Sequence, residues 1–439
     1  MSTHVRNRIR YTRMTNEMAF EMSVSSVRFG VGVTREVGMD LADLGARRVL
    51  VLTDATLRRL PPVQTVLQSL EENGVACVVY DRVRIEPNDV SFLDAIAFAR
   101  ESQYDAFVAV GGGSTIDTAK AVNLYTMYPP EDFLDYVNPP IGRGRAVPGP
   151  LKPLMAISTT AGTGSETTGV SVFDVTRLHA KTGISSRRLK PTLGYLDPDN
   201  TRTLPPPVAA SSGLDILSHA VESYTALPFT ERPRPDRPAH RPPYQGSNPI
   251  SDIWSLEALR MVSRFLLRAV DDPSDDEARA NMLLAASYAG VGFGNAGVHV
   301  PHAMSYPVAG TVRAYRAPGY VTDHPLVPHG LSVILNAPAV FRFTAAASPQ
   351  RHLQAAEALG VDIADARPDE AGRVLADRIT WFMQRLGVPN GLRAVGFSTS
   401  DIPALVEGTL LQRRLTALSP RQAGVDELST IFEEAMVGW

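Results

Sequence analysis

Through its first half this chain alternates short β-branched runs with longer amphipathic stretches, and no other feature narrows its possible folds as far. Arg48-Val49-Leu50-Val51-Leu52-Thr53-Asp54 predicts a strand, residues 57–73 a helix stopped by Gly74, 75–80 a strand, and 90–103 a helix. Residues 106–110 predict a strand running into Gly111-Gly112-Gly113, and 154–158 another ending in Thr159-Thr160-Ala161-Gly162-Thr163-Gly164. Parallel strands need long crossovers, so strand and helix in turn impose a parallel sheet covered by helices on both faces, the Rossmann-like α/β arrangement. Beyond the strand-like 193–196 and the turn Asp197-Pro198-Asp199, the apolar period becomes helical over 209–226, 251–270, 275–291 and onward. The expected division is an α/β dinucleotide-binding domain over 1–200 and an all-helical domain over 201–439, with the Pro- and Arg-rich 228–249 as an irregular loop.

At 439 residues the chain can build more than one core. Its 43 basic and 46 acidic side chains leave a net charge of −3, which argues against nucleic acid or an anionic membrane as partner and leaves small molecules as the expected ones. A single cysteine, Cys77, removes intramolecular disulfides, thiolate zinc sites and iron–sulfur clusters, so any metal must be held by His, Asp or Glu. Set in Val75-Ala76-Cys77-Val78-Val79, it reads as a packing residue. Residues 280–312 carry no Asp, Glu, Lys or Arg, yet Gly290, Gly292, Gly294, Asn295, Gly297, His299, Pro301 and His302 interrupt the run, which suits a buried helical hairpin rather than a membrane span. Arg6, Arg8, Arg10 and Arg13 near the N-terminus, without an apolar stretch, read either as a frayed bacterial terminus or as a short organellar presequence.

The segment Ala109-Val110-Gly111-Gly112-Gly113-Ser114-Thr115-Ile116-Asp117-Thr118-Ala119-Lys120 places a glycine-rich turn between strand and helix. Glycine lets the backbone approach a pyrophosphate, whose charge the amides and dipole of the next helix stabilise. The spacing is not G-x-G-x-x-G, so taken alone it reads equally as a structural turn. A second loop, residues 159–165, follows another strand end, where open α/β sheets bind ligands. Asp54 follows a third; its carboxylate can accept from a ribose hydroxyl and repel a 2′-phosphate, favouring NAD over NADP, or it can simply cap the next helix.

In Gly213-Leu214-Asp215-Ile216-Leu217-Ser218-His219-Ala220, Asp215 and His219 lie four apart and so share one helix face, as two ligands to one ion must. His302 in Pro301-His302-Ala303 and His329 in Pro328-His329-Gly330 offer two more imidazoles, with His299 and His324 as rivals. One carboxylate and three imidazoles suit Fe(II), Zn or a related ion.

Taken together, residues 111–120, 159–166 and 213–224 and the segments around His302 and His329 resemble the iron-containing (group III) alcohol dehydrogenase family. Gly292-Phe293-Gly294-Asn295-Ala296-Gly297-Val298-His299, His302-Ala303-Met304-Ser305-Tyr306-Pro307 and Asp323-His324-Pro325-Leu326-Val327-Pro328-His329-Gly330 resemble its hydroxyacid-oxoacid transhydrogenase branch, and the likeness extends from about Phe20 to the C-terminus. The resemblance implies a dinucleotide-binding N-terminal domain, an all-helical metal domain and a cleft between them. It implies metal ligands at Asp215, His219, His302 and His329, with Fe(II) as the ion and Zn as the alternative. It implies NAD contacts at Asp54, Gly111, Gly112, Gly113, Ser114, Asp117, Thr159, Thr160, Thr163 and Lys181. The wider family often has a second histidine four residues after the third ligand; here that position is Tyr306, read as a catalytic hydroxyl that partly replaces a proton relay or as pocket wall.

The branch further implies that hydride passes from 4-hydroxybutyrate (or 3-hydroxybutyrate) to a tightly held NAD and then to 2-oxoglutarate, the first donor giving succinic semialdehyde and the acceptor 2-hydroxyglutarate. Carboxylates on both substrates call for fixed cations, and Arg313 and Arg316, between the last two metal histidines, are the candidates. A homo-oligomer without nucleic-acid or membrane partners is expected, in the bacterial cytoplasm, or in the mitochondrial matrix of a eukaryote. A dehydrogenase with exchangeable NAD uses the same residues. A lyase of the dehydroquinate synthase type shares the architecture but needs no added acceptor, and a metal hydrolase leaves Asp54 and residues 111–117 without a task.

Overall fold

The computed structural model describes residues 16–439 apart from His179 and the side chain of Ala239, so the basic stretch from Arg6 to Arg13 lies outside the described residues. Its strands are β1 (Ser26–Phe29), β2 (Arg48–Leu52), β3 (Ala76–Tyr80), β4 (Ala106–Gly111), β5 (Leu154–Ser158), β6 (Val170–Val175), β7 (Ala180–Ser185) and β8 (Leu193–Leu196). Six of them form one parallel sheet in the order β1-β8-β5-β4-β2-β3, and β6 pairs with β7 antiparallel beside it.

Alternate residues of the central strands serve opposite faces. Val49, Val51, Val108, Val110, Met155 and Ile157 pack under α1 (Val37–Asp43) and α2 (Pro61–Glu72). Leu50, Leu52, Phe107, Ala109 and Ala156 pack under α3 (Asp89–Arg100) and α4 (Gly113–Met127). Each buried Val or Leu contributes about 1.5–3 kcal/mol, and a slip of one residue would exchange the two faces, so the register is firmly set. From β2 the chain moves outward to β3 and then returns to place β4 on the other side of β2. The C-terminal ends of β2 and β4 therefore bracket the switch point at which such sheets bind ligands, and Asp54 and the three glycines sit there.

The remainder is helical: α5 (Pro206–Thr225), α6 (Pro249–Asp271), α7 (Asp276–Ala296), α8 (Val300–Gly310), α9 (His329–Ile334), α10 (Ala337–Thr344), α11 (Pro349–Ala358), α12 (Ala371–Arg385), α13 (Ile402–Leu410), α14 (Arg413–Thr416) and α15 (Val425–Ala435). Leu214, Leu217 and Val221 of α5, Leu259, Val262 and Leu266 of α6, and Leu283 and Ala286 of α7 share one core. Prolines at the first helical positions of α5 give up only amides that have no partner inside a helix anyway. The loop after β5 touches α7 through two glycines; a Cβ on Gly164 would lie 2.8 Å from the Cα of Gly290.

Several elements depart from the sequence expectation for definable reasons. The helix expected from residue 57 begins at Pro61, because Pro61 and Pro62 take its first positions and leave Leu57–Arg59 as a 3-10 turn. Strand β1 has no fully buried residue, so it carries no apolar alternation to read. Residues 280–312 fold as the end of α7, a turn at Gly297, whose φ of 100° suits glycine, and α8. Among the described residues no helix is long and apolar enough to cross a membrane.

Candidate active site

Helix α5 presents Asp215 and His219 on one face, α8 contributes His302, and α9 opens with His329. One ligand atom from each of the four lies within 4.8 Å of all the others. Asp215 Oδ1 stands 3.7 Å from His302 Nε2 and 3.8 Å from His329 Nε2, and Asp215 Oδ2 is 3.7 Å from His219 Nδ1. These separations are too long for hydrogen bonds, and Asp215 Oδ1, His219 Nδ1 and His302 Nε2 are buried without any partner. Orphaned polar atoms in a protein interior are costly. A divalent cation satisfies all of them at once, and an all N/O donor set of this composition fits Fe(II) or Zn.

Electrostatics within the cage are uneven. Burial opposes ionisation of Asp215, but the imidazoles of His219, His329 and His302 hold its carboxyl well below the usual range. Burial pushes His219 down to about 3 and also lowers His329, so both imidazoles are neutral with lone pairs available. At His302 burial likewise disfavours the cation, yet the Glu222 and Asp215 carboxylates raise it to about 9. Ligation through His302 Nε2 therefore displaces a proton.

Glu222 is a site residue that the sequence reading passed over. It is fully buried on α5; Oε1 accepts from His302 Nδ1 at 2.5 Å, and Oε2 accepts the backbone N–H groups of His299 at 2.6 Å and His302 at 3.4 Å. Such a carboxylate fixes the ring and tautomer that leave Nε2 free for an ion. Its spacing from Asp215, seven residues or two turns, was the available signal. Phe293 of α7 holds the His219 ring by stacking, centroids 3.9 Å apart and planes 7° from parallel.

Beside the cage, at the switch point of the sheet, opens a cleft of about 1150 Å³ including its mouth. Asp54, Gly112, Gly113, Ser114, Thr159, Thr160 and Thr163 line it, and so do Asp215 and His329, which makes cage and cleft share a wall. Helix α4 begins at Gly113 without a side-chain cap, leaving its positive end for a ligand. A Cβ on Gly113 would fall 2.7 Å from the Thr163 methyl, and one on Gly112 would fall 3.0 Å from the Thr160 hydroxyl, so only glycine keeps this cradle open. The cradle fits a dinucleotide pyrophosphate. Asp54 lines the cleft, and its Oδ1 caps the 3-10 turn by accepting from Thr56 and Leu57 at 2.8 and 2.9 Å.

The other predicted nucleotide residues stand further back. Gly111 ends β4, where a Cβ would meet the Thr115 hydroxyl at 2.3 Å. Asp117 accepts from Ser165 Oγ at 2.6 Å and Val172 N at 2.9 Å, tying α4 to β6. Lys181 reaches the cleft only through Glu86, to which its Nζ donates at 2.7 Å. Glu86 has a left-handed backbone, φ 52°, and its Oε1 accepts the His329 N–H at 3.2 Å. A non-glycine residue held there marks a constrained junction between the two halves.

A second chamber, of about 700 Å³ including its mouth, adjoins the cleft along Gly113, Ser114, Thr163 and His329 and is lined also by Asp117, His219, Tyr244, Phe293, His302, Tyr306 and Arg414. Arg414 Nη2 donates to the Tyr306 hydroxyl at 3.1 Å, and its guanidinium lies 5.2 Å from the centre of the Tyr244 ring.

With this geometry in view, comparison with known proteins is decisive. The model of iron-containing alcohol dehydrogenases matches residues 25–198, and that of the C-terminal region of Fe-containing alcohol dehydrogenases matches residues 244–436. The chain belongs to the iron-containing alcohol dehydrogenase family. It is 59% identical over 435 residues to the mitochondrial hydroxyacid-oxoacid transhydrogenase of Xenopus tropicalis, covering 99% of this chain and 94% of that one. Among solved structures, a 1,3-propanediol oxidoreductase superposes with a TM-score of 0.83 at 29% identity over 95% of this chain and 100% of its own. A sulfoacetaldehyde reductase from Bifidobacterium kashiwanohense, solved with NAD+, gives 0.77 at 25% identity over 96% and 99%.

As an iron-containing alcohol dehydrogenase the chain is an oxidoreductase acting on CH–OH groups, with a metal ion and NAD as its expected cofactors. The rival histidines do not join the cage of this family member. His299 Nε2 contacts the Thr225 hydroxyl at 3.0 Å, and His324 Nδ1 contacts Asp323 at 2.8 Å. The expectation for Arg313 and Arg316 fails: Arg313 is exposed and bound to Asp401, and Arg316 spends its guanidinium on the carbonyls of Thr322, Asp323 and His324. Closeness in sequence to two metal histidines did not bring either arginine to the chamber.

Proposed function

We propose that the chain is a hydroxyacid-oxoacid transhydrogenase. It oxidises 4-hydroxybutyrate (or 3-hydroxybutyrate) and reduces 2-oxoglutarate, giving succinic semialdehyde from the first donor and 2-hydroxyglutarate from the acceptor, with NAD retained throughout. The observation that carries this reading is the 59% identity, over almost the whole chain, to a protein of that name. Residues 1–200 serve the nucleotide and 201–439 the metal, in a homo-oligomer that needs no nucleic acid or membrane. It works in the bacterial cytoplasm, or in the mitochondrial matrix if the source is eukaryotic; the relatives' names support a mitochondrial setting alone.

Asp215, His219, His302 and His329 would hold the ion, taken as Fe(II) with Zn as the alternative; when bound it supplies the Lewis acidity that lowers the pKa of an alcohol. Asp54, Gly111, Gly112, Gly113, Ser114, Asp117, Thr159, Thr160, Thr163 and, through Glu86, Lys181 would seat NAD, which supplies the hydride acceptor and donor. Glu222 and Phe293 keep His302 and His219 from turning. Tyr306 is the proposed catalytic hydroxyl: Arg414 donates to its oxygen, which leaves the phenolic proton free for a substrate oxygen in the same chamber.

The test is to strip free nucleotide from the purified protein and follow 2-hydroxyglutarate formed from 4-hydroxybutyrate and 2-oxoglutarate without added NAD. Product, with parallel double-reciprocal lines, is the expected result. No product without NAD, but NADH on supplying NAD and an alcohol, would replace this reading with a dehydrogenase whose cofactor exchanges.

A further inference from the structure

We infer that Arg414 binds the carboxylate that lies two methylenes from the reacting carbon, and that it does so for the donor and the acceptor alike. The inference rests on the transhydrogenase reading for the acceptor half only. Arg414 is the second residue of α14 and lines the same chamber as His219, His302 and His329. Tyr306 connects the two features: it lies four residues after His302 on α8, hence on the same helix face, and receives the hydrogen bond from Arg414.

The charge balance of the chamber points to an anion. Its two acidic side chains have their own cations, Glu86 with Lys181 at 2.7 Å and Asp117 with Lys120 at 3.5 Å, and Asp117 also accepts from Ser165 Oγ and the Val172 amide at 2.6 and 2.9 Å. Among the described residues Arg414 pairs with no carboxylate; its contacts are the Tyr306 hydroxyl and the face of Tyr244. A part-buried guanidinium that faces a chamber without a carboxylate partner is available to a bound carboxylate, which supplies the counter-charge in fork geometry. The two arginines between His302 and His329 are engaged elsewhere, Arg313 with Asp401 and Arg316 with backbone carbonyls.

Substrate chemistry makes one such cation sufficient. In 4-hydroxybutyrate the hydroxyl carbon is separated from the carboxylate by two methylenes. In 2-oxoglutarate the keto carbon is separated from the distal carboxylate by two methylenes as well. A single arginine at fixed distance from the cage can therefore hold both molecules with the reacting carbon in one place. 3-Hydroxybutyrate has one methylene in that interval and fits less well.

The experiment uses metal-loaded, NAD-loaded protein and the donor half-reaction alone, read as reduced nicotinamide with 4-hydroxybutyrate and with butan-1-ol, in wild type, Arg414→Gln and Arg414→Lys. Glutarate binding by calorimetry is the second readout. Arg414→Gln should lower the preference for 4-hydroxybutyrate over butan-1-ol by at least about 30-fold and weaken glutarate by a similar factor. Arg414→Lys, which keeps the charge but not the fork, should lower the preference by roughly tenfold. If Arg414→Gln does not fold, Arg414→Lys decides. Preference and glutarate affinity within about twofold of wild type in the folded variant would overturn the inference. Failure of the transhydrogenase reading looks different: wild type then makes no 2-hydroxyglutarate without added NAD, while an Arg414-dependent preference for 4-hydroxybutyrate persists when NAD is supplied.

Discussion

Replacing Glu222 by glutamine removes one charge and almost no volume, and the geometry fixes what must follow. Every group facing the Glu222 carboxylate is a donor: His302 Nδ1 at 2.5 Å, His299 N at 2.6 Å and His302 N at 3.4 Å. Glutamine brings one oxygen and one NH₂. If the oxygen faces His302, the NH₂ is set against the His299 amide and two donors confront each other in a buried site. If the NH₂ faces His302, its Nδ1 must become an acceptor, the proton moves to Nε2, and the atom meant for the ion is blocked. The first seating leaves a buried donor unpaired, at a cost of about 1–3 kcal/mol of stability. Either seating weakens the third ligand, for which loss of a supporting carboxylate costs about 10–100-fold in metal affinity, or roughly 1.4–2.7 kcal/mol. The assay is competition for the metal against a chelator of known affinity, with thermal unfolding of the metal-free protein alongside. Affinity within about twofold of wild type would show that Glu222 does not act on the cage through His302.

Stripping the metal should lower the melting temperature by roughly 5–15 °C, as expected when an ion held at about a thousand times its dissociation constant is lost; a change below about one degree would count against an occupied cage. Gly113→Ala should reduce retained NAD by more than about tenfold, since its Cβ would crowd Thr163, with nucleotide content of the purified protein as the readout; full retention would remove the cradle from the cofactor's seat. His352 is fully buried against the Thr344 hydroxyl at 2.9 Å, and burial holds it down to about 4. Its contribution is complete above the unfolded-state value near 6.5 and is lost as pH falls toward 4, because the unfolded chain then binds the extra proton; the drop is about 3 kcal/mol. His352→Gln should flatten that part of the stability profile measured by denaturant, and an unchanged slope would refute the assignment.

What the sequence disclosed followed the strength of local pattern. Strands β2, β4 and β5 are buried along almost their whole length, so their apolar runs read clearly, whereas β1 at the sheet edge has no buried residue and the β6–β7 pair mixes Ser, Asp, Lys, Thr and Gly among its apolar residues. Asp215 and His219 announced themselves by helical spacing. Glu222, three residues further along the same face as His219, did not, because an acid on a helix is ordinarily solvated and only its depth of burial sets it apart. Arg414 was hidden differently: in a chain that uses arginine for nearly all its positive charge, an arginine carries little information until its surroundings are known. Glu86 had no motif at all, and its importance lies in a backbone angle and in contacts to Lys181 and His329, far away in sequence.

Helix α5 borders the nucleotide cleft with Val208, Ser211 and Ser212 and the cage with Asp215 and His219. From Ser211 to Asp215 is one turn, about 6 Å of rise. On the helical side, the step from the cleft wall to the cage is thus set within a single hydrogen-bonded rod. Engineering of this scaffold has a corresponding rule: the pitch of α5 between Ser211 and His219 is to be kept.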